Sequence, residues 1–374
     1  KNCVQAGYVD PHNGITMHAY GLDQVLETAR AAIDWDAKRR LYQNQTGDRR
    51  RGVGMALFTY KSNVYPISLE TASCRMALHE DGRVTVQMGA TEIGQGADTA
   101  FTQIAAESIG LPVSAIDIQS TQDTDVTPFD TGAYASRQTY VSGTACKMTG
   151  ESLRGKILDY AARMLGRSPQ GLTITDGNIL DEAGQAVLTV ADVGMESCYS
   201  LTDSRHLTAE ETYHCEQNTF STGACFAEIE VDIPLGQIHV LRLINVHDSG
   251  RLINPKLAEA QVHGGMSMGL GYALSEELLF DDACKPLNPN LLDYKIPTAM
   301  DTPKLEALFV EVDDPTGPYG NKALGEPPAI PVAPAIRNAL LHATGVSVHS
   351  LPLTPQKLIE HFRAAGLLGG EDHV

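Results

Sequence analysis

The sequence predicts an α+β protein of two lobes, each a mixed sheet packed with helices, and three observations predict it. Short runs with alternating apolar residues, such as 75–88, read as strands. Longer runs with helical spacing, such as 140–165, lie between them. Residues 181–217 are the least regular stretch and read as a seam, so the lobes meet near residue 215. With 374 residues, 43% of them hydrophobic, the chain can bury a large core and build about two domains. We therefore read residues 1–50 as a helical lead-in, 51–215 as the first lobe and 216–374 as the second.

The elements follow in order. Residues 22–35 read as an amphipathic helix, with Leu22, Val25, Leu26, Ala29 and Ile33 on one face. The basic groups Lys38-Arg39-Arg40 and Arg49-Arg50-Arg51 read as a solvated face or a subunit contact. Residues 75–88 form a hairpin turning at Asp81-Gly82. Gly94-Gln95-Gly96 leads into a helix that buries Phe101, Ile104, Ala105 and Ile109, with Asp98 as its N-cap and Gly110 as its stop. A short strand at 114–120 and a loop at 123–134 precede the 140–165 helix. Strands at 222–233 and 238–246 turn at Pro234-Leu235-Gly236. Asn254-Pro255 opens a helix to about residue 279, rich in glycine, which calls for close backbone packing or a ligand lying against it. An apolar run at 329–341 reads as a further helix.

The formal charge of −18 argues against nucleic acid or an anionic membrane as a partner, since both need basic faces. No apolar run approaches the length of a membrane span. The seven cysteines include no Cys-x-x-Cys pair, which excludes the usual local frameworks for zinc or an iron–sulfur cluster. An odd, scattered set reads as reduced thiols in a cytoplasmic protein. The twelve histidines show no helical His-x-x-x-His, so no side chain is expected to ligate a metal directly.

Chemistry-bearing residues cluster in a few segments. In Lys322-Ala-Leu-Gly-Glu326-Pro-Pro a carboxylate stands between a glycine and two prolines, a way to hold one acid at a cavity edge. An acid answering a helix dipole is the plainer reading. Gly94-Gln95-Gly96, between strand and helix, can aim amides at an anion or admit a planar ring. Ala135-Ser136-Arg137-Gln138 offers a hydroxyl, an amide side chain and helix-start amides in one patch. Gln261 is a polar side chain on a helix of small residues, and its direction is open. Residues 150–156 have phosphate-loop spacing, but Ile157 stands where magnesium needs Ser or Thr, and the segment falls inside a helix.

Together these segments resemble the molybdenum hydroxylases, the family of xanthine dehydrogenases and aldehyde oxidoreductases. The resemblance runs through Gly89-Ala-Thr-Glu-Ile-Gly-Gln-Gly96, Ala135-Ser-Arg-Gln-Thr139, Asn245-Val-His-Asp-Ser-Gly250, Gln261-Val-His-Gly264, Asp293-Tyr-Lys-Ile-Pro-Thr298 and Gly320-Asn-Lys-Ala-Leu-Gly-Glu326. These fall in the family's order over nearly the whole chain. The likeness is greatest to the molybdenum subunit of bacterial, multi-subunit xanthine dehydrogenases, and implies the C-terminal half of such a subunit, beginning after the family's first glycine-rich loop.

The resemblance implies a molybdenum–molybdopterin cofactor, in the mononucleotide or the cytosine dinucleotide form, with the metal held by the pterin and not by side chains. Gly94 and Gln95 would contact it, Ala135, Ser136, Arg137 and Gln138 would line its pterin and phosphate side, and Gln261 would touch the pterin. Glu326 would be the catalytic base, and burial would raise its pKa toward neutrality. Tyr65 and Lys322 are weaker substrate candidates; Lys322 could equally be a surface lysine. The implied reaction is hydroxylation of a purine such as xanthine or hypoxanthine with oxygen from water, the alternatives being another N-heterocycle, an aldehyde, or a cofactor-shell half that is inert without its N-terminal partner. Electrons would leave through iron–sulfur and FAD subunits.

Overall fold

The protein is described by a computed structural model covering residues 3–12, 14–119 and 123–368. Its helices are α1 (Leu22–Ala32), α2 (Trp35–Leu41), α3 (Ala97–Ile109), α4 (Gln138–Leu165), α5 (Val190–Tyr199), α6 (Pro255–Leu274), α7 (Val332–Thr344) and α8 (Pro355–Ala364). Its strands are β1 (Arg49–Lys61), β2 (Thr71–Leu78), β3 (Val84–Met88), β4 (Ile116–Gln119), β5 (Thr173–Thr175), β6 (Asn178–Leu180), β7 (Ala186–Thr189), β8 (Thr208–His214), β9 (Phe220–Asp232), β10 (Gln237–Asp248) and β11 (Leu305–Val310). The mixed α+β class is the one the sequence predicts.

One sheet runs β1-β9-β10-β11, antiparallel except for the parallel β10/β11 edge. Alternation along β1 sends Val53 and Met55 to one face, where Leu22, Val25 and Ala29 of α1 cover them. Gly52, Gly54 and Ala56 face α7 instead. A Cβ on Gly54 would stand 2.1 Å from the Ala339 nitrogen and 2.2 Å from the Ala335 oxygen, so helix and strand backbones touch. The second sheet runs β4-β3-β2-β8 and is backed by α3 and α4, with Phe101, Ile104, Tyr140 and Leu153 in its core. A small β5-β6-β7 sheet is appended to it.

The chain does not divide as the sequence reading has it. β1, placed in the first lobe, pairs with β9 from Arg49↔Asp232 to Lys61↔Phe220, and α1 packs on that same sheet. The lead-in and residues 51–61 thus build the second lobe. Sequence patterning marks a strand but not its partner, here some 170 residues away. Residues 181–217 are ordered rather than irregular: they hold β7, α5 with a reciprocal Thr189/Asp192 capping box, and β8 paired to β2. Three residues of the basic clusters pair with β9 while Arg49 and Arg51 stay largely exposed: Lys38 reaches Glu228 at 2.6 Å, Arg51 reaches Glu230 at 2.9 Å and Arg49 reaches Asp232 at 3.4 Å.

Local signals fare better. The hairpin turns at Gly82, and α3 stops at Gly110 in the left-handed region. Its cap differs: the N-cap position is Gly96, and Glu92 accepts from the amides of Gly94, Gly96 and Asp98 at 2.7, 3.1 and 3.1 Å. The predicted 114–120 strand is observed as β4, with Ser120 outside the described residues. The glycines of α6 do bring backbones close, since a Cβ on Gly265 would meet Pro328 at 2.5 Å.

Because α7 rests on β1 through a missing side chain, Gly54→Ala is expected to lower stability by roughly 3 kcal/mol. A denaturant midpoint unchanged from the parent would contradict this packing.

Candidate active site

The segment from Gly320 to Pro328 crosses one face of the large sheet, and side chains of that face hold it. Ser221 on β9 donates to the Ala323 carbonyl, and Asn245 on β10 donates to the Pro328 carbonyl at 2.9 Å. Tyr60 on β1 donates to Glu326 Oε2 at 2.6 Å. Lys322, wholly buried, places its ammonium 2.7 Å from the buried Asp248 carboxylate, which also accepts from the Gly21 amide at 2.9 Å. Three strand side chains and one buried ion pair therefore fix where Glu326 stands.

The first lobe supplies the opposing wall. Ser136 donates to Glu326 Oε2, and its oxygen accepts from the Glu326 amide at 2.9 Å. Gly325 must lack a side chain here, because a Cβ would lie 2.9 Å from Ser136 Oγ. Ala135 and Ser136 both take positive φ, 46° and 50°. That costs free energy for L-residues and needs external support. Support comes from Arg137. Its guanidinium is buried and bonds Glu70 and Asp130 at 2.6 Å each, and the carbonyls of Thr71 and Gly132 at 2.8 and 2.9 Å.

These walls enclose a crevice of about 360 Å³ between the lobes. Gln95 donates to Gln138 Oε1 and to the Thr91 carbonyl at 2.8 Å each, and accepts from the Ile93 amide at 2.7 Å. Gln261 reaches across from α6 to the Gly325 carbonyl at 2.9 Å. Gln95, Ser136, Gln138, Gln261 and Glu326 therefore line one space, although they are spread over 232 residues of chain. α4 opens onto it at Gln138 with no side-chain cap, which leaves first-turn amides for a ligand.

Several expected roles change. Glu326 is exposed in this chain, at the crevice mouth, and not buried; its immediate surroundings are the two hydroxyls that hold Oε2. Arg137 does not present its guanidinium to the crevice, because two buried carboxylates take it inward. Lys322 is no surface lysine, and its charge is committed to Asp248 rather than to a substrate. Tyr65 does not line the crevice; its backbone is tied to Asn63 and Asn218 nearby. Gly94 sits exposed beside the crevice with open space at its missing Cβ. The tyrosine that matters is Tyr60. Strand alternation puts it on the same face as Phe58 and Ala56, the one signal that could have selected it.

Burial and the neighbouring Glu326 push the Tyr60 hydroxyl up to about 12, so it remains a proton donor at neutral pH. Beneath the same segment lies His247, fully buried, with ring centroids 5.2 Å from Phe58 and 6.4 Å from Phe309. Neither of its nitrogens has a partner among the described residues, and burial lowers its pKa to about 3. Among the described residues no cluster of His, Cys, Asp or Glu is arranged to hold a metal ion, and no helix is long and apolar enough to cross a membrane.

A crevice walled largely by aliphatic side chains, with a few amide side chains and helix-start amides among them and one fixed carboxylate at its mouth, is the kind of site that cradles a large, hydrogen-bonding cofactor. Residues 28–303 match the family of molybdopterin cofactor-binding domains. The chain belongs to that family, within the molybdenum hydroxylases. It is 47% identical over 98% of its length to the xanthine dehydrogenase molybdenum-binding subunit of Escherichia coli O157:H7, covering 49% of that protein. It is 32% identical over 78% of its length to the aldehyde oxidoreductase molybdenum-binding subunit PaoC of Escherichia coli K12, covering 39% of it. Its fold superposes on the reconstituted CO dehydrogenase from Oligotropha carboxidovorans with a TM-score of 0.88 and 25% identity, over 97% of this chain and 47% of that one. The chain thus spans about half the length of the curated relatives it matches.

Two outcomes check this geometry. Arg137→Met would leave two buried carboxylates unpaired and is expected to cost about 3–5 kcal/mol in denaturant titration; a loss under about 1 kcal/mol would contradict the buried pairing. For His247 the folded pKa lies below the ordinary 6.5, so the unfolded chain holds the extra proton between pH 6.5 and about 3. Stability is therefore lost as pH falls below 6.5. His247→Phe is expected to flatten the stability–pH slope between pH 6 and 5 by about 1 kcal/mol per unit, and an unchanged slope would show the ring is not buried neutral.

Proposed function

We propose that this chain is the base-bearing half of the molybdenum subunit of a xanthine dehydrogenase-type enzyme that hydroxylates a purine. The observation that carries the proposal is the meeting of Gln95, Ser136, Gln138 and Gln261 with Glu326 around one crevice. The residues fit molybdopterin. Gln138 and Gln261 each donate once within the chain and keep one amide N–H and acceptor capacity for a pterin edge, while Gln95, whose two N–H groups go to Gln138 and Thr91, holds Gln138 in place; the open start of α4 suits a phosphate. Ser249 Oγ and Asn321 Oδ1, on crevice-lining residues, are buried without partners among the described residues. Such atoms call for a ligand or water.

When bound, molybdenum–molybdopterin, as mononucleotide or cytosine dinucleotide, supplies the water-derived oxygen and accepts two electrons. The chain supplies position and proton transfer. Tyr60 and Ser136 both hold Glu326 Oε2, leaving Oε1 to take the proton released as oxygen is transferred. The Lys322–Asp248 pair and the bonds from Ser221 and Asn245 keep that oxygen in place. The substrate is a heteroaromatic purine such as xanthine or hypoxanthine. Electrons leave to iron–sulfur and FAD subunits, and the assembly works in the cytoplasm.

The 32% identity to an aldehyde oxidoreductase subunit favours a second reading, an aldehyde or another N-heterocycle as substrate. Relative kcat/KM over a panel of purines, N-heterocycles and aldehydes on the complete enzyme separates the two. Glu326→Gln is expected to retain molybdenum while lowering turnover about 10²–10⁴-fold. Near-normal turnover would contradict Glu326 as the base. Tyr60→Phe removes one of the two donors that hold Glu326 Oε2, so kcat is expected to fall about tenfold with molybdenum retained. An unchanged kcat would show that Tyr60 leaves the base untouched.

A further inference from the structure

We propose that His247 binds ordered water beneath residues 320–328 and, through that water, acts as a positioning residue for Glu326. The water site rests on the geometry of the sheet; the role given to it rests on the functional reading above. Residues 320–328 cross the sheet as an arc, and His247 lies among its anchors. The Lys322 amide donates to the Ser249 carbonyl at 2.9 Å, and the Asn245 side chain donates to the Pro328 carbonyl at 2.9 Å. Those two anchors flank His247 along the chain. Ser221 on β9 and Tyr60 on β1 hold the far side of the arc. His247 itself pairs with Gly223 of β9, and Gly223 pairs with Phe58 of β1. A Cβ on Gly223 would stand 2.2 Å from Phe58 Cε1, so the missing side chain lets Phe58 lean across the strand to the His247 ring.

The ring is fully buried, and burial keeps it neutral at any pH near 7. A neutral imidazole carries one N–H donor and one acceptor nitrogen, and here neither has a partner among the described residues. Phe58 and Phe309 are tilted 45° and 41° to the ring. They offer the N–H no more than a weak contact with a π face, and neither can donate to the acceptor nitrogen. Asn245, two residues away on the same face of β10, has the complementary need. Its Oδ1 is buried and has no partner among the described residues. Turning the amide over does not cure this, because its nitrogen is the group that meets the Pro328 carbonyl. Ser249 Oγ, next in the alternation and on the crevice wall, is a further atom of the same kind.

Buried donors and acceptors that lie near one another but do not touch are joined by water. Successive residues on one strand face stand roughly 6–7 Å apart, a gap that one water bonded to both side chains spans. A water that accepts from the His247 N–H can donate to Asn245 Oδ1, and the Ser249 hydroxyl extends the same row toward the crevice. A hydrocarbon side chain at 247 would leave the Asn245 oxygen unmet and loosen the amide that steadies Pro328. His247 does not line the crevice. It therefore touches neither cofactor nor substrate and acts with Ser221, Asn245 and the Lys322–Asp248 pair on where the arc, and so Glu326, stands.

The test is a crystal structure of the complete enzyme, at a resolution that shows ordered water, together with the kinetics of two variants. The proposal predicts water density about 2.7–3.2 Å from a His247 nitrogen and at the same range from Asn245 Oδ1. Ring nitrogens that meet only carbon atoms would overturn it. His247→Leu is expected to lower kcat about tenfold, with KM within about twofold of the parent and molybdenum retained, because the base shifts while the crevice does not. His247→Gln keeps a donor and an acceptor and is expected to recover kcat to within about threefold of the parent. An unchanged kcat in His247→Leu would overturn the positioning role, as would an equal loss in both variants, which would mark ring packing and not hydrogen bonding. Should His247→Leu fail to fold, the density in the parent and the kcat of His247→Gln still decide. The density is read whatever Glu326 does. Near-normal turnover of Glu326→Gln would remove the base reading and leave the water site standing, and missing density would remove the water site and leave the base.

Discussion

A buried cation must be matched by anions close at hand, and that constraint shapes both walls of the crevice. In the first lobe Arg137 binds Glu70 and Asp130, and so gathers the entry to β2, the loop before α4 and the start of α4 itself. In the second lobe Lys322 binds Asp248 and ties the 320–328 segment to the end of β10. Neither charge faces the ligand space. Each instead fixes a short segment in a conformation it would not hold alone: the left-handed Ala135-Ser136 pair on one side and the glycine–acid–proline turn on the other. Where the two segments meet, Ser136 and Glu326 are bonded twice. The energetics of the ion pairs thus act on function through position.

This arrangement explains why Glu326 can stand exposed in the chain and still be precise. Two hydroxyls, from β1 and from the loop before α4, hold one carboxylate oxygen, and the following prolines remove backbone freedom. The residue stands at the mouth of the crevice and also lines an apolar groove of about 650 Å³ walled by Met268, Tyr272 and Ile330.

Much of the site was legible in the sequence because its residues sit at punctuated positions. Glu326 between glycine and proline, Gln95 between two glycines and Gln138 at a helix start are all marked by their neighbours. The directions of Arg137 and Lys322 were not legible, since Arg137 is drawn inward by Glu70, 67 residues away, together with Asp130, and Lys322 by Asp248, 74 residues away. Tyr60 was missed for the same reason. Alternation assigns it a face, but only the pairing of β1 with β9 brings that face under residues 320–328. That pairing also moved the lobe boundary, while the α+β class, the main helices and the 81–82 turn followed from local periodicity and turn chemistry.

The most direct measurement is the position of molybdenum in crystals of the complete enzyme, located by its anomalous scattering. The account predicts one peak in the crevice bounded by Gln95, Gln138 and Gln261, within about 3–5 Å of the Glu326 carboxylate, which is direct or one-water reach for proton transfer. A peak elsewhere in the enzyme, with this crevice filled by side chains or solvent, would contradict it.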